Sequence, residues 1–420
     1  SQQSAERLHS VREAAAQGEG YNLAVISVPG SYAAHECRAA LQNDINVFLF
    51  SDNVSIEEEV ALKTLATERG LLMMGPDCGT AIINGIGLGF ANVVRRGPIG
   101  IVAASGTGLQ HVTCLIDALG SGISQAIGTG GRDLSSAVGG STMLAALDAI
   151  GADPATKAVA ILSKPPAPEV AEKVLEKARG LGKPVVLCLF GREAPRAELL
   201  EGLSLCDDME EVAIRVVEAA EGIKTKLDDR FFSRAPVDAF LARREAGQRY
   251  VRGIFCGGTV CDEAMVTFRR LGLAISSNIP MSADERLEDV HTSVGNSFID
   301  MGDDYFTRGK PHPMIEPSLR NERIITDALK KDTAVMLLDV ETGYGSHPDP
   351  AGVLLEAVAE AKRRLGERQV LWIASIVGAE GDPQGLAEQA WRLNEAGFVV
   401  TLSNVRAARL AAELVEGGRR

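Results

Sequence analysis

Short apolar segments at residues 23–28, 47–51, 71–74, 99–103, 123–127, 158–162 and 185–189 alternate with helix-length stretches. This beat constrains the fold most, because strands alternating with helical patterns build βαβ units and a parallel sheet. A second series runs through 251–256, 273–276, 335–340, 370–376 and 398–402. Composition agrees: 45% hydrophobic residues but only 5% aromatic, with 44 glycines, suits Val/Ile/Leu/Ala-rich strands and glycine turns. With 420 residues, two or three α/β domains are expected, with helices on both faces of each sheet. The charged run from Ile223 to Arg230, continued at Leu241 to Glu245, predicts a linker between the two series.

A formal net charge of −13 gives a nucleic-acid or anionic-membrane partner no electrostatic support. No apolar run approaches the ~20 residues of a membrane span, and no signal peptide is visible. A cytoplasmic protein is therefore expected. Seven cysteines (Cys37, Cys78, Cys114, Cys188, Cys206, Cys256, Cys261) without CxxC spacing indicate neither a disulfide framework nor a structural zinc site. Most are expected as buried small hydrophobes. The chain starts at Ser1 without a methionine and meets its first strand at Leu23, so a further segment upstream is expected.

Two strand-to-helix turns carry the functional reading. The strand at Ile99 to Ala103 runs into Ser105-Gly106-Thr107-Gly108, and Ile254-Phe255-Cys256 runs into Gly257-Gly258-Thr259. Such a turn leaves amides unpaired at the positive end of a helix dipole, a cradle for phosphate or carboxylate. The plainer alternative is that glycine merely opens the helix; two such turns, both with small hydroxyl residues, favour the functional reading. One anion is placed at Ser105, Gly106, Thr107 and Gly108, a second at Gly257, Gly258 and Thr259. Arg132, directly after Gly130-Gly131, is the first choice for a bidentate clamp, and Lys164 before Pro165-Pro166 the second. The competing readings are an Arg132–Asp133 pair or helix cap, and a surface-loop lysine.

His111, on the first turn of the helix after Ser105, is a general-acid candidate. His312 between two prolines reads more readily as a locked turn residue than as a base. Asp339 and Glu341 end a strand, but two carboxylates make an incomplete site, so no metal is assigned. Cys256 reads as a buried thiol, with nothing basic fixed beside it. The irregular stretch Met301 to Met314 has aromatics, both charges and prolines; it is expected to be ordered and to be a contact for a ligand or partner.

Gly75-Pro76-Asp77-Cys78-Gly79, the Ser105-Gly106-Thr107 turn, Ile127-Gly128-Thr129-Gly130-Gly131-Arg132-Asp133 and Asp153-Pro154-Ala155-Thr156-Lys157 stand in an order that resembles the α subunit of succinyl-CoA synthetase and other NDP-forming acyl-CoA synthetases. The likeness covers roughly residues 20 to 192. Over its whole length, with Gly302-Asp303-Asp304 and Lys310-Pro311-His312-Pro313-Met314, the chain resembles the FdrA family, relatives of those synthetases. The resemblance implies an α/β fold of parallel-sheet Rossmann-like and flavodoxin-like domains. It divides the chain into a partial CoA-binding-like Rossmann domain (1–95), a flavodoxin-like ligase-type domain (96–222), a linker (223–249) and a C-terminal α/β domain (250–420).

The synthetases carry a phosphohistidine on the loop after the strand equivalent to 185–189. This chain reads Phe190-Gly191-Arg192-Glu193-Ala194-Pro195-Arg196-Ala197-Glu198 there, with no histidine between His111 and His291. That chemistry cannot run here as in the family. The nucleotide-grasp subunit is not in this chain, and the first strand ends in Val28-Pro29-Gly30 rather than the GxGxxG that would hold CoA phosphates.

The FdrA resemblance implies a subunit of an oxamate carbamoyltransferase type of enzyme in allantoin degradation, converting oxalurate and phosphate to oxamate and carbamoyl phosphate. Direct transfer needs backbone donors and fixed cations rather than a covalent carrier, and no cofactor is expected. The expected partners are small anions (carbamoyl phosphate, oxamate, phosphate), partner subunits and further copies of the chain. The first alternative is an NDP-forming acyl-CoA synthetase subunit, which would bring in CoA or a nucleotide. The second is a non-catalytic regulatory relative.

Overall fold

In the computed structural model the described residues are 8–17, 20–164, 166–190 and 201–416, so the histidine-free loop beyond Phe190 lies outside them. Three sheets organise the chain. The first is parallel, with β1 (Leu23–Ile26), β2 (Asn46–Leu49) and β3 (Met73–Met74) in chain order.

The second sheet holds β4 (Thr80–Ile83), β5 (Ile86–Gly89), β6 (Arg96–Ala103), β7 (Ile123–Gly128), β8 (Ala158–Ser163), β9 (Val185–Leu189) and β10 (Leu203–Leu205). Their order is β10-β9-β8-β6-β7-β4-β5. Five strands are parallel, while β4 runs antiparallel to β7 and β5.

The third sheet is parallel throughout, in the order β12-β13-β11-β14-β15-β16. Its strands are β11 (Tyr250–Phe255), β12 (Ser276–Ser277), β13 (Ser297–Asp300), β14 (Thr333–Glu341), β15 (Leu371–Val377) and β16 (Phe398–Thr401). The α/β class is as expected, and the apolar runs are buried on both faces as parallel strands require: all nine residues of β14 are buried.

Several elements escape a reading by apolar runs. The β4–β5 hairpin turns on Asn84-Gly85, both at positive φ (51° and 82°), with Ile83 paired to Ile86. A two-residue Asn-Gly loop between alternating apolar residues is a strong hairpin signal. β10 and β13 are three and four residues long. The 223–249 stretch, expected as a linker, holds the helix Ala235–Leu241, whose Val237 and Phe240 are buried in the main core.

That core is shared by the second and third sheets: Ile99, Leu109 and Val112 belong to one cluster with Val260, Met265 and Ala408. All seven cysteines are buried and unpaired with one another. The first sheet has its own small core around Leu41, Val47 and Leu62.

Asp382 clamps the turn after β5 to the third sheet. Its carboxylate accepts from Asn92 Nδ2 and the Val93 amide (both 2.7 Å), the Thr342 hydroxyl (2.6 Å) and the Ala379 amide (2.8 Å). Asp382→Ala strands four donors in a buried site, and a loss of about 3 kcal/mol is expected in urea unfolding. A loss under about 1 kcal/mol would mean that water replaces the carboxylate there.

Candidate functional site

Both cradle strands sit where strand order reverses. β6 lies between β7 and β8, and β11 between β13 and β14. In open α/β sheets, ligands bind outside the carboxyl ends of such strands. From β6 the chain enters the Gly106–Ala118 helix through Ser105, whose hydroxyl accepts the Gly108 amide at 3.1 Å. From β11 it enters the Gly258–Arg270 helix through Gly257, which makes no side-chain cap.

The two turns face each other across the junction of the sheets. The Ser105 and Thr259 hydroxyls are hydrogen-bonded. A Cβ on Gly257 would stand 2.7 Å from Thr107 Cγ2, and one on Gly108 would stand 2.9 Å from Thr259 Cγ2. Glycine is thus required at both positions by the approach of the other helix. The two expected anion sites form one site with two walls. Gly106, Thr107, Gly258 and Thr259 carry first-turn amides that no helical carbonyl can reach. The Gly257 amide is not part of this set, because it donates to Asp339 Oδ2 at 3.0 Å.

The turns open into a cleft of about 750 Å³ lined by Ser105, Gly106, Thr107, Gly258, Thr259 and Lys164, and also by Gly131, Asp300 and His312. Lys164 pairs with Asp262 at 3.4 Å. Asp262 first, then Asp300, raises the Lys164 pKa above its ordinary value against the opposing effect of burial, so the ammonium stays charged beside the amides.

The far rim is acidic, with Asp52, Asp77, Asp303 and Asp304. Asp77, held at φ 56°, opens to the cleft but is enclosed on its other sides. That enclosure, reinforced by Asp304 and Asp52 against Lys164 and Arg132, raises its pKa to about 6. At the β1 end the chain enters the Gly30–Gln42 helix through Pro29, which has no amide hydrogen and makes no side-chain cap, and Asp52 lines the cleft wall. A separate groove of about 620 Å³ over β1 is lined by Leu23, Val25, Tyr21 and Tyr32 and lacks converging charges.

Arg132 is engaged elsewhere. Its guanidinium pairs with Glu59 at 2.9 Å and donates to the Val54 carbonyl at 2.7 Å, tying the first sheet's helix to the second sheet. Its partner is Glu59 rather than Asp133, and Arg132 is not among the residues that line the cleft. Gly130 (φ 89°) brings its loop against Pro76, whose carbonyl would lie 2.3 Å from a Cβ at 130. Asp133 accepts the Thr142 and Met143 amides and pairs with Lys63.

His111 does not face the cleft. It is buried in the Gly106–Ala118 helix, with Nε2 accepting the Asn404 amide at 3.4 Å and Nδ1 unpartnered. Burial lowers its pKa from 6.5 to about 4. The unfolded chain therefore binds the extra proton between these values, and stability present at neutral pH falls as pH drops from about 6.5 toward 4. His111→Gln is expected to flatten this acid limb in urea unfolding followed against pH. His312 acts in the same direction, so part of the slope persists; an unchanged slope would contradict the assignment.

Cys256, Asp339 and Glu341 come within ligand distance of one another, and Asp339 is the best-partnered of the three, while Glu341 Oε1 has no hydrogen-bond partner. Asp339 accepts the Cys256 and Gly257 amides and the Arg320 guanidinium, the last at 2.7 Å. Burial, then the neighbouring Asp339, raises the Glu341 pKa above its ordinary value. A guanidinium already occupies the place of a cation, and the cluster braces the Gly257 turn from behind.

Sequence reasoning missed Asp300 and undervalued His312. Asp300 ends β13 beside β11, and a carboxylate at a strand's carboxyl end next to a cradle was the available signal. The Met314 amide donates to His312 Nδ1 at 3.2 Å, placing the ring proton on Nε2. That Nε2 lies 2.6 Å from the position a Gly302 Cβ would take. Burial holds His312 neutral, with a pKa of about 4. The Met301 to Met314 stretch contains the helix Asp304–Thr307 and forms one wall of the cleft.

Comparison with known proteins places the chain in a family. YahF of Escherichia coli (strain K12), an uncharacterized protein, is 47% identical over 397 residues, covering 94% of this chain and 77% of YahF. The chain belongs to the YahF family. Two family models match within this YahF-like chain: CoA-ligase over residues 254–414 and CoA binding domain over 95–190. The first includes the Gly258 turn and the second the Ser105 turn. The succinate–CoA ligase [ADP-forming] subunit alpha 2 of Archaeoglobus fulgidus is 28% identical over 190 residues, 44% of this chain and 64% of that subunit. The match thus spans less than two thirds of that relative's length. The apo dinucleotide-forming acetyl-coenzyme A synthetase 1 of Ca. Korarchaeum cryptofilum aligns over 95% of this chain and 83% of its own, with 16% identity and a TM-score of 0.39. By the sequence matches, the YahF-like chain is related to succinyl-CoA synthetase α subunits. Among the described residues no helix is long and apolar enough to cross a membrane.

Proposed function

We propose that this chain is an acyl-CoA-synthetase-type subunit that binds an acyl phosphate, or phosphate beside a carboxylate, between the first turns of the Gly106 and Gly258 helices. The observation that carries this reading is the facing pair of turns with Lys164 at their mouth. Unpaired amides from two helix dipoles and one ammonium converge where an anion would sit, without any side chain that must reorganise.

The relatives favour this reading over the carbamoyltransferase implied by the FdrA resemblance, which they do not support. Carbamoyl phosphate stays within the proposed class as one acyl phosphate among others. The sequence contains no histidine in the 190–198 stretch, so transfer here runs directly between bound substrates, and partner subunits are expected to supply the rest of the reaction.

Thermal unfolding with phosphate, acetyl phosphate, carbamoyl phosphate and CoA tests the proposal. An anion at 100 times its dissociation constant stabilises by about 2.7 kcal/mol. Stabilisation by phosphate and both acyl phosphates is expected. Stabilisation by CoA alone would overturn the reading, and strong preference for carbamoyl phosphate would reinstate carbamoyl transfer.

A further inference from the structure

Asp300 occupies the place where a ligand anion would be repelled. Its Oδ1 accepts the Gly302 amide at 2.8 Å, and its backbone is fixed to Asn278 through both amide and carbonyl. Oδ2 lies 2.8 Å from the position a Gly258 Cβ would take, and Lys164 Nζ lies 3.2 Å from that same position. The carboxyl is therefore held in place beside the start of the Gly258 helix. Around it stand Lys164 after β8, Asp262 and Cys261 on the Gly258 helix, Cys256 at the end of β11, and Asp303 with neutral His312 on its own loop. Lys164 is the one cation among these groups and already pairs with Asp262.

A dianion bound at the amides would face the Asp300 carboxylate in a largely desolvated corner. A like charge brought into that corner disfavours the ionised form of Asp300, so anion binding favours proton uptake there. Burial, reinforced by Asp303 and Asp262 against Lys164 and the Gly302 amide, already raises the Asp300 pKa to about 7. The exchange therefore falls near neutral pH, where a proton carrier works best.

We propose that Asp300 is the proton-transfer group of this site: it takes up a proton as the anion binds and exchanges it with the reacting substrates. The proposal rests on the anion-site reading above. In acyl transfer from an acyl phosphate to an amine or thiol, the nucleophile's lone pair forms the new bond to the acyl carbon. The C–O bond to phosphate breaks, its electron pair stays on the phosphate oxygen, and that oxygen receives the Asp300 proton. The proton lost by the nucleophile returns to Asp300, which ends as it began. Lys164 offsets the charge on phosphate, and the His312 Nε2–H is a neutral donor on the same wall.

The test is calorimetric titration with sulfate, whose charge is fixed across the range, in paired buffers of different ionisation enthalpy. Wild-type protein is expected to take up a fraction of a proton per sulfate, largest just above pH 7 and vanishing in acid. Asp300→Asn is expected to bind sulfate at least as tightly, with the uptake lost. Sulfate binding without uptake at any pH would overturn the proposal from the wild type alone, even if the variant failed to fold. Uptake that persists in Asp300→Asn would also overturn it. Failure of wild type to bind sulfate would instead overturn the anion-site reading on which it rests.

Discussion

Lys63→Met is expected to lower the unfolding free energy by about 3–5 kcal/mol, the largest stability effect of any single substitution considered for this chain. Lys63 lies on the helix Ile56–Glu68 of the first sheet, with its side chain 1% exposed. It pairs with Asp133 at 2.7 Å and Glu59 at 3.0 Å and donates to the Thr129 carbonyl at 3.2 Å. Methionine fills the volume but leaves two buried carboxylates facing each other, with only the half-exposed Arg132 to offset Glu59. Urea unfolding followed by circular dichroism reads the loss. A change under about 1 kcal/mol would show that the pair relaxes into solvent. Lys224→Met is the control: its ammonium, 92% exposed and 2.8 Å from Glu218, is screened by water, so the midpoint is expected to stay put.

Gly257→Val is expected to reduce phosphate affinity by about 100-fold or more, close to the worth of two charge-assisted hydrogen bonds. The new Cβ would stand 2.7–2.9 Å from three atoms of Thr107, so the two helix N-termini must part. Each turn alone is an ordinary helix start; the pair surrounds an anion. Replacing Thr107 with alanine in the same chain makes room, and partial recovery of affinity is expected. Undiminished affinity in Gly257→Val would mean that one turn suffices.

Much of the architecture was legible because parallel strands are buried on both faces and read as apolar runs. The segments at 99–103, 123–127, 158–162, 185–189 and 335–340 lie within or match β6, β7, β8, β9 and β14. Segments whose burial comes from neighbours were not legible: β13 is a four-residue strand, and β12 has two residues, Ser276 and Ser277, which the expected segment at 273–276 overlaps only at its last position. The two cradles were readable from glycine and hydroxyl residues after strands. Their union into one site was not, since nothing local in Ser105 announces Thr259, 154 positions away. Arg132 shows the converse. A glycine pair before an arginine looks like a clamp, and only the fold shows Glu59 already in its grip. His111 was misplaced by its closeness to Ser105 in sequence, because the helix turns it toward Asn404 and the shared core.

The most direct measurement of the central claim is a crystal structure of the protein with saturating phosphate. The account predicts an anion with oxygens about 2.7–3.2 Å from the amides of Gly106, Thr107, Gly258 and Thr259, with Lys164 Nζ closing the open side. Phosphate bound elsewhere, with the space between the two first turns empty, would contradict it.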